Sequence, residues 1–269
     1  LSEIEIVALS SGNISRAGSL NISTIIHSWL LGEGTKSTNV NRGEVARLPM
    51  SQSFSMELDI EHPDTGYTLY LQGKDKSYQE QAHFLLLSQV LSSPYYERVR
   101  TENQLGYIVF ATNYSFLEVP AIAFIVQSPV ASVYQLETET QSFLKEYAEN
   151  LNAMPNSEFN QHKAALLSRL FEKDNNLGEK SDRFWREVDR ENFSFDTREK
   201  LSKEINKLSP ETFSNFYSSL IQSQGKKLLT FSSGKNVKTD NTEINEKSLK
   251  AYQALGLDNR LWDLEKPFR

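Results

Sequence analysis

Two polar side chains near the middle of the chain, Arg100 and Tyr107, have the types and spacing needed to hold a small polar group between them. Pro94 suits the first turn of a new helix, and Gly106 suits the corner that follows it, where a positive φ or a close backbone approach is needed. The spacing therefore predicts Arg100 near a helix C-terminus and Tyr107 at the start of a strand. Both side chains can donate hydrogen bonds to a carbonyl oxygen or to an anion.

The same spacing also fits a purely structural arrangement. In that interpretation Tyr107 is buried in the core, and Arg100 interacts favourably with the C-terminal end of the helix dipole. Tyr96 lies four residues before the arginine, on the same face of the predicted helix. It either lines a pocket beside the pair or packs against the helix, and the residues alone leave both interpretations open.

The elements that must position these residues follow from hydrophobic periodicity and turn residues. Before the pair, the pattern predicts a strand (3–9), a helix (14–31), a linker (32–44), a β-hairpin (54–60 with 67–71) and an apolar helix (78–92). After it come strands (105–116, 120–127 and 228–231), helices (130–149 and 157–173, and others from Ser181 and Ser209) and a charged segment (196–208). Consecutive strand pairs favour antiparallel pairing with helices packed on the sheet. The predicted fold class is α+β, with an antiparallel-rich sheet.

Composition excludes several kinds of protein. The net charge of −6 argues against a general nucleic-acid binder, which would need a basic face. No stretch approaches 18 uninterrupted apolar residues, so no membrane span is predicted. The absence of cysteine excludes disulfides, thiolate catalysis and cysteine zinc sites. Because residue 1 is leucine and a strand is predicted from residue 3, we expect the chain to be a segment of a longer protein.

The residues from Arg100 to Tyr107 read Arg-Thr-Glu-Asn-Gln-Leu-Gly-Tyr. This segment resembles the Arg-Thr-x-x-Gln-Leu-Gly-Tyr motif in the C-terminal half of insulysin- and pitrilysin-type zinc peptidases, the M16 family. Two further segments are similar to that family: Gly12-Asn13-Ile14 with Ala17, and Phe124-Ile125-Val126-Gln127-Ser128. The resemblance covers roughly residues 1–235, and the motif around Arg100 is its most specific part.

The resemblance implies an M16-type α/β roll. Residues 1–43 would complete the third repeat and its linker, residues 44–235 would form the fourth repeat, and residues 236–269 would be a C-terminal tail. It also implies catalytic roles for Arg100 and Tyr107, which would contact the substrate backbone and the transition state near the scissile bond inside a closed chamber. Tyr96 would belong to the same substrate-binding site and line the pocket for the residue after that bond.

No zinc ligand is predicted in this chain. None of the four histidines, His27, His62, His83 and His162, forms a His-x-x-x-His pair, and neither His-x-x-Glu-His nor His-Glu-x-x-His occurs. We interpret them as packing or surface residues. The resemblance implies that zinc binds outside this chain, on a helix of the first repeat.

The expected partners are an N-terminal M16 half, in the same polypeptide or as a separate chain, and a peptide substrate. The chain alone is expected to be inactive, and its expected location is the periplasm or the cytoplasm. The alternative is a non-catalytic M16-like module that binds a partner or a peptide without cutting it.

Overall fold

A computed structural model describes residues 3–30, 36–37, 43–50, 52–222, 225–235, 237, 252–254 and 268. Most of the predicted linker (32–44) and tail (236–269) lies outside the described residues. In chain order, the described strands and α-helices are β1 (Glu3–Ile4), α1 (Arg16–Leu30), β2 (Lys36–Ser37), β3 (Ser53–Glu57), β4 (Thr65–Gln72), α2 (Tyr78–Tyr96), β5 (Ile108–Asn113), β6 (Ala121–Ser128), α3 (Val133–Ala153), α4 (Asn156–Leu170), α5 (Leu177–Asp189), α6 (Thr197–Lys207), α7 (Pro210–Gln222), β7 (Lys227–Ser232) and β8 (Tyr252–Ala254).

The chain divides into two compact units. The first contains Leu1–Gly43 and Phe171–Glu199, and the second contains Glu44–Leu170 and Lys200–Phe268. In the first unit, β1 pairs with β2 in parallel. The assignment of 1–43, 44–235 and 236–269 to a third repeat, a fourth repeat and a tail stays a prediction.

The second unit is built on a sheet whose described strands lie in the order β5-β6-β4-β7-β3-β8. β4 is antiparallel to both β6 and β7, and β5 is antiparallel to β6. β3 runs parallel to β7 and to β8. The predicted α+β class with an antiparallel-rich sheet is therefore confirmed.

The predicted hairpin between β3 and β4 is wrong, because β7 lies between the two strands. Apolar alternation shows which side chains of a strand face the core, but it does not identify the neighbouring strand. The connection between β3 and β4 is also longer than a tight turn, so it leaves room for a third strand.

One face of this sheet is covered by helices. Tyr67, Leu69 and Leu71 of β4 alternate toward that face and are buried with Phe84 of α2 and Phe213 of α7. Burial of apolar side chains is the main stabilising contribution in such a core. The other residues of β4 point to the opposite face, which carries the groove described below.

The helix before the motif differs from the prediction. No new helix begins at Pro94, because α2 runs through it to Tyr96 and continues as a π-helical turn, Glu97–Glu102. A proline inside a helix cannot donate to the carbonyl four residues earlier, here that of Val90. The buried Tyr147 hydroxyl donates to that carbonyl at 3.4 Å. A tertiary hydrogen bond therefore replaces the missing helical one, and the helix continues.

Candidate functional site

The corner that carries the motif is formed by the π-helical turn. The Asn103 N–H donates to the Arg98 carbonyl at 3.1 Å, and the Leu105 N–H donates to the Val99 carbonyl at 2.9 Å. Gln104 adopts a φ of 52°, which is unfavourable for a residue with a side chain. Single π-type turns within helices often occur at functional sites. The chain thus reverses direction within a few residues after Arg100.

Gly106 is required by close packing. A Cβ atom at this position would lie 2.6 Å from Cγ1 of Val126 and 2.9 Å from the carbonyl oxygen of Gln127. Of the two predicted reasons for glycine here, the structure supports the close approach. The strand then begins at Ile108. Tyr107 immediately precedes it, and its N–H donates to the Gln127 carbonyl at 3.2 Å.

The three predicted site residues lie together at this corner. The Arg100 guanidinium donates to the backbone carbonyl of Tyr107. Its Cζ atom also lies 5.5 Å from the centre of the Tyr96 ring, within the range of a cation–π contact. Tyr96 is 42% exposed and Tyr107 is 45% exposed, so the interpretation of Tyr107 as a core residue is wrong.

Arg98, two residues before Arg100, has a different environment. Its Nε donates to Oε1 of Glu139 at 2.6 Å, and its Nη2 lies 3.4 Å from Oε2 of Glu146. Both glutamates are on α3, so Arg98 ties the π-helical turn to that helix. Arg100 is exposed instead, and its other N–H groups can reach a ligand.

One residue that the sequence analysis did not single out, Asp64, orients the Tyr107 side chain. The Tyr107 hydroxyl donates to Oδ2 of Asp64 at 2.8 Å, and Nε2 of Gln127 donates to the same oxygen at 3.0 Å. The hydrogen bond to the Asp64 carboxylate raises the pKa of Tyr107. Asp64 lies between the two strands of the predicted hairpin (54–60 and 67–71). Its proximity to Gln127 follows from the pairing of β4 with β6, in which Gly66 is opposite Gln127.

A groove lies beside Tyr107 on the sheet face opposite the helices. Its volume is about 410 Å³. Its apolar walls include Ile60, Ile108 and Ile125, and Asp64 and Gln127 also line it. Asp64, which accepts from the Tyr107 hydroxyl, thus belongs to an open concave surface that is large enough to receive a side chain.

Zinc does not fit the part of the chain that the structure describes, where no three His, Asp or Glu side chains come together to hold a metal ion. His83 is buried, its Nδ1 lies 2.9 Å from the Gln79 carbonyl, and its ring stacks on Phe216. This agrees with its predicted packing role. Among the described helices, none combines the length and apolar character required to span a bilayer.

The segment that carries the motif matches a protein-family model. Residues 86–185, which include Tyr96, Arg100 and Tyr107, match the family model described as PQQ synthase PqqF-like, C-terminal lobe domain 4. The chain is 30% identical to Protease 3 of Salmonella typhi over 57% of its length, covering 16% of that protein. It is 27% identical to the human insulin-degrading enzyme over 82% of its length, covering 22% of that protein. The chain therefore spans about a fifth of the length of these relatives.

Comparison with solved structures shows that this chain shares its fold with parts of several peptidases. A crystal structure of pitrilysin matches with a TM-score of 0.76 and 23% identity, over 94% of this chain and 26% of that one. The peptidase M16 inactive domain from Pseudomonas fluorescens matches with a TM-score of 0.57 and 14% identity, over 82% and 51%. The first half of the periplasmic protease PqqL from Escherichia coli matches with a TM-score of 0.58 and 18% identity, over 95% and 54%. The predicted resemblance is confirmed.

Proposed function

We propose that this chain, which is similar in sequence and fold to the C-terminal part of M16 peptidases, is the zinc-free C-terminal part of a metalloendopeptidase that cuts peptides in a closed chamber. Arg100 and Tyr107 contact the substrate backbone and the transition state, and Tyr96 lines the pocket for the residue after the scissile bond. The chain is inactive alone. The observation that carries the proposal is the exposed cluster at the corner, where Arg100 contacts both tyrosines.

The geometry of Arg100 suits the binding of a carbonyl oxygen. A guanidinium has five N–H donors in a fixed plane and remains charged at any physiological pH. One donor is used on the Tyr107 carbonyl, and the ring of Tyr96 supports the group from one side. The remaining donors are therefore held in place before a ligand arrives. Donors fixed in advance are the kind that stabilise developing negative charge on an oxygen.

The proposed partner is an N-terminal half that carries the zinc site, in the same polypeptide or as a separate chain. The surface of α1 supports a protein partner, because none of its residues is buried within this chain and Trp29 is 84% exposed. Large exposed apolar surfaces usually mark a site of contact with protein or membrane. We assign this surface to contact with the rest of the third repeat. The proposed compartment is the periplasm, with the cytoplasm as the alternative.

The proposal is tested by assembling the chain with its zinc-bearing half and measuring cleavage of a peptide with a fluorophore and a quencher at its ends. Arg100→Ala and Tyr107→Phe should each lower kcat/KM by roughly 10²–10³-fold, as for loss of one transition-state contact. Tyr114→Phe is the matched control, because Tyr114 is also 45% exposed. Wild-type rates for both site variants would contradict the proposal, and hydrolysis by the chain alone would contradict its inactivity.

A second candidate function is a non-catalytic module that binds a partner or a peptide. It is favoured by the match to a domain described as an inactive M16 domain. The two candidates differ in what accompanies the chain. A His-x-x-Glu-His motif encoded upstream in the same polypeptide supports the peptidase, and its absence there supports the binding module.

A further inference from the structure

We propose that Asp64 makes the groove beside Tyr107 a specificity site for a lysine or arginine side chain of the peptide substrate. This inference rests on the proposed function and adds to it a preference for a basic residue close to the scissile bond. The Tyr107 hydroxyl donates to Oδ2 of Asp64 at 2.8 Å, and Asp64 lines the groove. A peptide held by Arg100 and Tyr107 can therefore place a neighbouring side chain in the groove.

Asp64 gives the groove a negative charge. Of the described residues that line the groove, Asp64 is the single acid, and none is a lysine or an arginine. His62 also lines it, but its Nδ1 accepts the Asp64 N–H at 3.1 Å, so that nitrogen carries no proton and the ring is neutral. Lys235, which follows β7, is paired with Glu61 at 3.2 Å. Among the described residues, no lysine or arginine neutralises Asp64.

The Asp64 carboxylate is held in place and keeps one oxygen for a ligand. Its Oδ2 accepts from the Tyr107 hydroxyl and, at 3.0 Å, from Nε2 of Gln127. In the described part of the chain, no group donates to Oδ1, so its lone pairs are available to a substrate cation. The side chain is 14% exposed. Ion pairs that are partly withdrawn from water are screened less by salt than fully exposed ones.

The walls of the groove select among side chains that could approach this carboxylate. Ile60, Ile108 and Ile125 provide apolar surface beside the single charge. Lysine and arginine have long aliphatic stems that pack on apolar surface and a cationic end that binds a carboxylate. An apolar substrate side chain would use the walls and leave the charge unpaired, and an acidic one would be repelled. A basic side chain matches both features.

Occupation of the groove is compatible with the transition-state contact proposed for Tyr107. In this structure Asp64 accepts the phenol proton. An ammonium or guanidinium group of the substrate would make charge-assisted hydrogen bonds to the same carboxylate and reduce its attraction for that proton. The Tyr107 hydroxyl can then rotate about its C–O bond and donate to the substrate oxygen. A bound basic residue thus favours the donor role of Tyr107.

The test uses pairs of peptides that carry either lysine or norleucine at one position near the scissile bond. Norleucine has the same aliphatic chain without the ammonium group. Cleavage by the assembled enzyme gives kcat/KM for each peptide, and fluorescence anisotropy with the zinc-free assembly gives its Kd. At one position, lysine should be favoured about tenfold in both quantities, as for one hydrogen bond to a charged group in a partly exposed site.

Three variants assign this preference to the groove. Asp64→Asn keeps the size of the side chain and removes its charge, so the lysine preference should disappear. Asp59→Asn is the matched control, because Asp59 is an exposed acid of the same connection that does not line the groove, and it should keep the preference. Ile60→Lys places a cation in the groove wall at a position that is 50% exposed, and it should also remove the preference. It carries the test if Asp64→Asn does not fold.

Two results would overturn the inference. One is the absence of a lysine preference at every position in the wild type, including a preference for norleucine, which would make the groove an apolar site. The other is a lysine preference that persists in folded Asp64→Asn or in Ile60→Lys. Wild-type rates in Arg100→Ala and Tyr107→Phe would instead contradict the proposed function. In that case the ratio of the two Kd values still tests the groove.

Discussion

Replacing Tyr67 by phenylalanine removes one of three hydrogen bonds that satisfy a buried carboxylate in the second unit. Glu137 on α3 is 2% exposed. Its Oε2 accepts from the Tyr67 hydroxyl at 2.7 Å, and its Oε1 accepts from the Tyr252 hydroxyl at 2.7 Å and from Nε2 of Gln141 at 2.9 Å. A hydrogen bond to a charged group contributes about 1.5–3 kcal/mol. Tyr67→Phe should therefore lower the free energy of unfolding by about 2 kcal/mol at pH 8.

The loss of stability caused by Tyr67→Phe should depend on pH, in a direction set by the pKa of Glu137. Burial raises the pKa of Glu137 above its ordinary value of 4.5, against the opposing effect of its hydrogen-bond donors. Because the folded-state pKa is the higher one, the contribution of this group to stability is complete below pH 4.5 and is lost as the pH rises through the folded-state pKa. Removing the Tyr67 hydroxyl raises this pKa further, so the variant loses more stability than the wild type as the pH rises.

The size of the effect follows from the charge of the acceptor. Below pH 4.5, and so below the raised pKa of Glu137, the carboxyl group carries its proton, and the cost of Tyr67→Phe should fall to about 1 kcal/mol, the value for a neutral hydrogen bond. Urea unfolding at pH 4 and pH 8, followed by circular dichroism, measures the cost in both conditions.

Tyr217→Phe provides the matched control for this experiment. Tyr217 is also buried in the core of the second unit, and its hydroxyl donates to the Leu144 carbonyl at 2.7 Å. This acceptor is neutral at every pH, so the substitution should cost about 1 kcal/mol at both pH values. An equal cost of Tyr67→Phe at pH 4 and pH 8, or a larger one at pH 4, would refute the reasoning about the carboxylate.

Three further substitutions test local features by urea unfolding. Gly106→Ala places a methyl group against the neighbouring strand and should destabilise the protein by about 1–3 kcal/mol, and an unchanged midpoint would show that the corner can relax. Tyr147→Phe leaves the Val90 carbonyl without its tertiary donor and should lower the free energy of unfolding by about 1 kcal/mol. Adding Pro94→Ala should restore part of that stability, because alanine supplies the helical N–H. If Pro94→Ala restores none of it, this account is contradicted. Ser132→Ala removes the capping box of α3 and should cost about 1 kcal/mol, whereas a neutral result would mean that solvent replaces the cap.

Helices were predicted well where a cap and an apolar stripe lie close together in sequence. The helix predicted over 130–149 is α3, Val133–Ala153, which starts after the Ser132 cap. α2 begins at Tyr78 as predicted, after the Ser77 cap. Both signals are local in sequence, so a prediction can use them without knowledge of the fold. The continuation of α2 through Pro94 was not predictable in this way, because the compensating Tyr147 hydroxyl comes from another helix.

Sheet topology and the surroundings of the site depend on contacts between distant segments. β7 begins about 170 residues after β3 in the chain, yet the two strands pair in parallel. Alternation of apolar residues identified each strand but gave no register between them. For the same reason the motif identified Arg100 and Tyr107, while Asp64, 43 residues before the tyrosine, was not singled out.

The corner and the sheet contribute differently to the site. The π-helical turn and the positive φ of Gln104 lie within one short segment. Together with the packing of Gly106 against β6, they fix where Arg100 and Tyr107 lie along the backbone. The direction of the hydrogen bond made by the Tyr107 hydroxyl depends on Asp64, which the register of β4 and β6 brings to it. A chain could therefore keep the motif and still lose the hydrogen bond that orients its tyrosine. The motif alone specifies the position of the two side chains, and the sheet specifies how one of them is oriented.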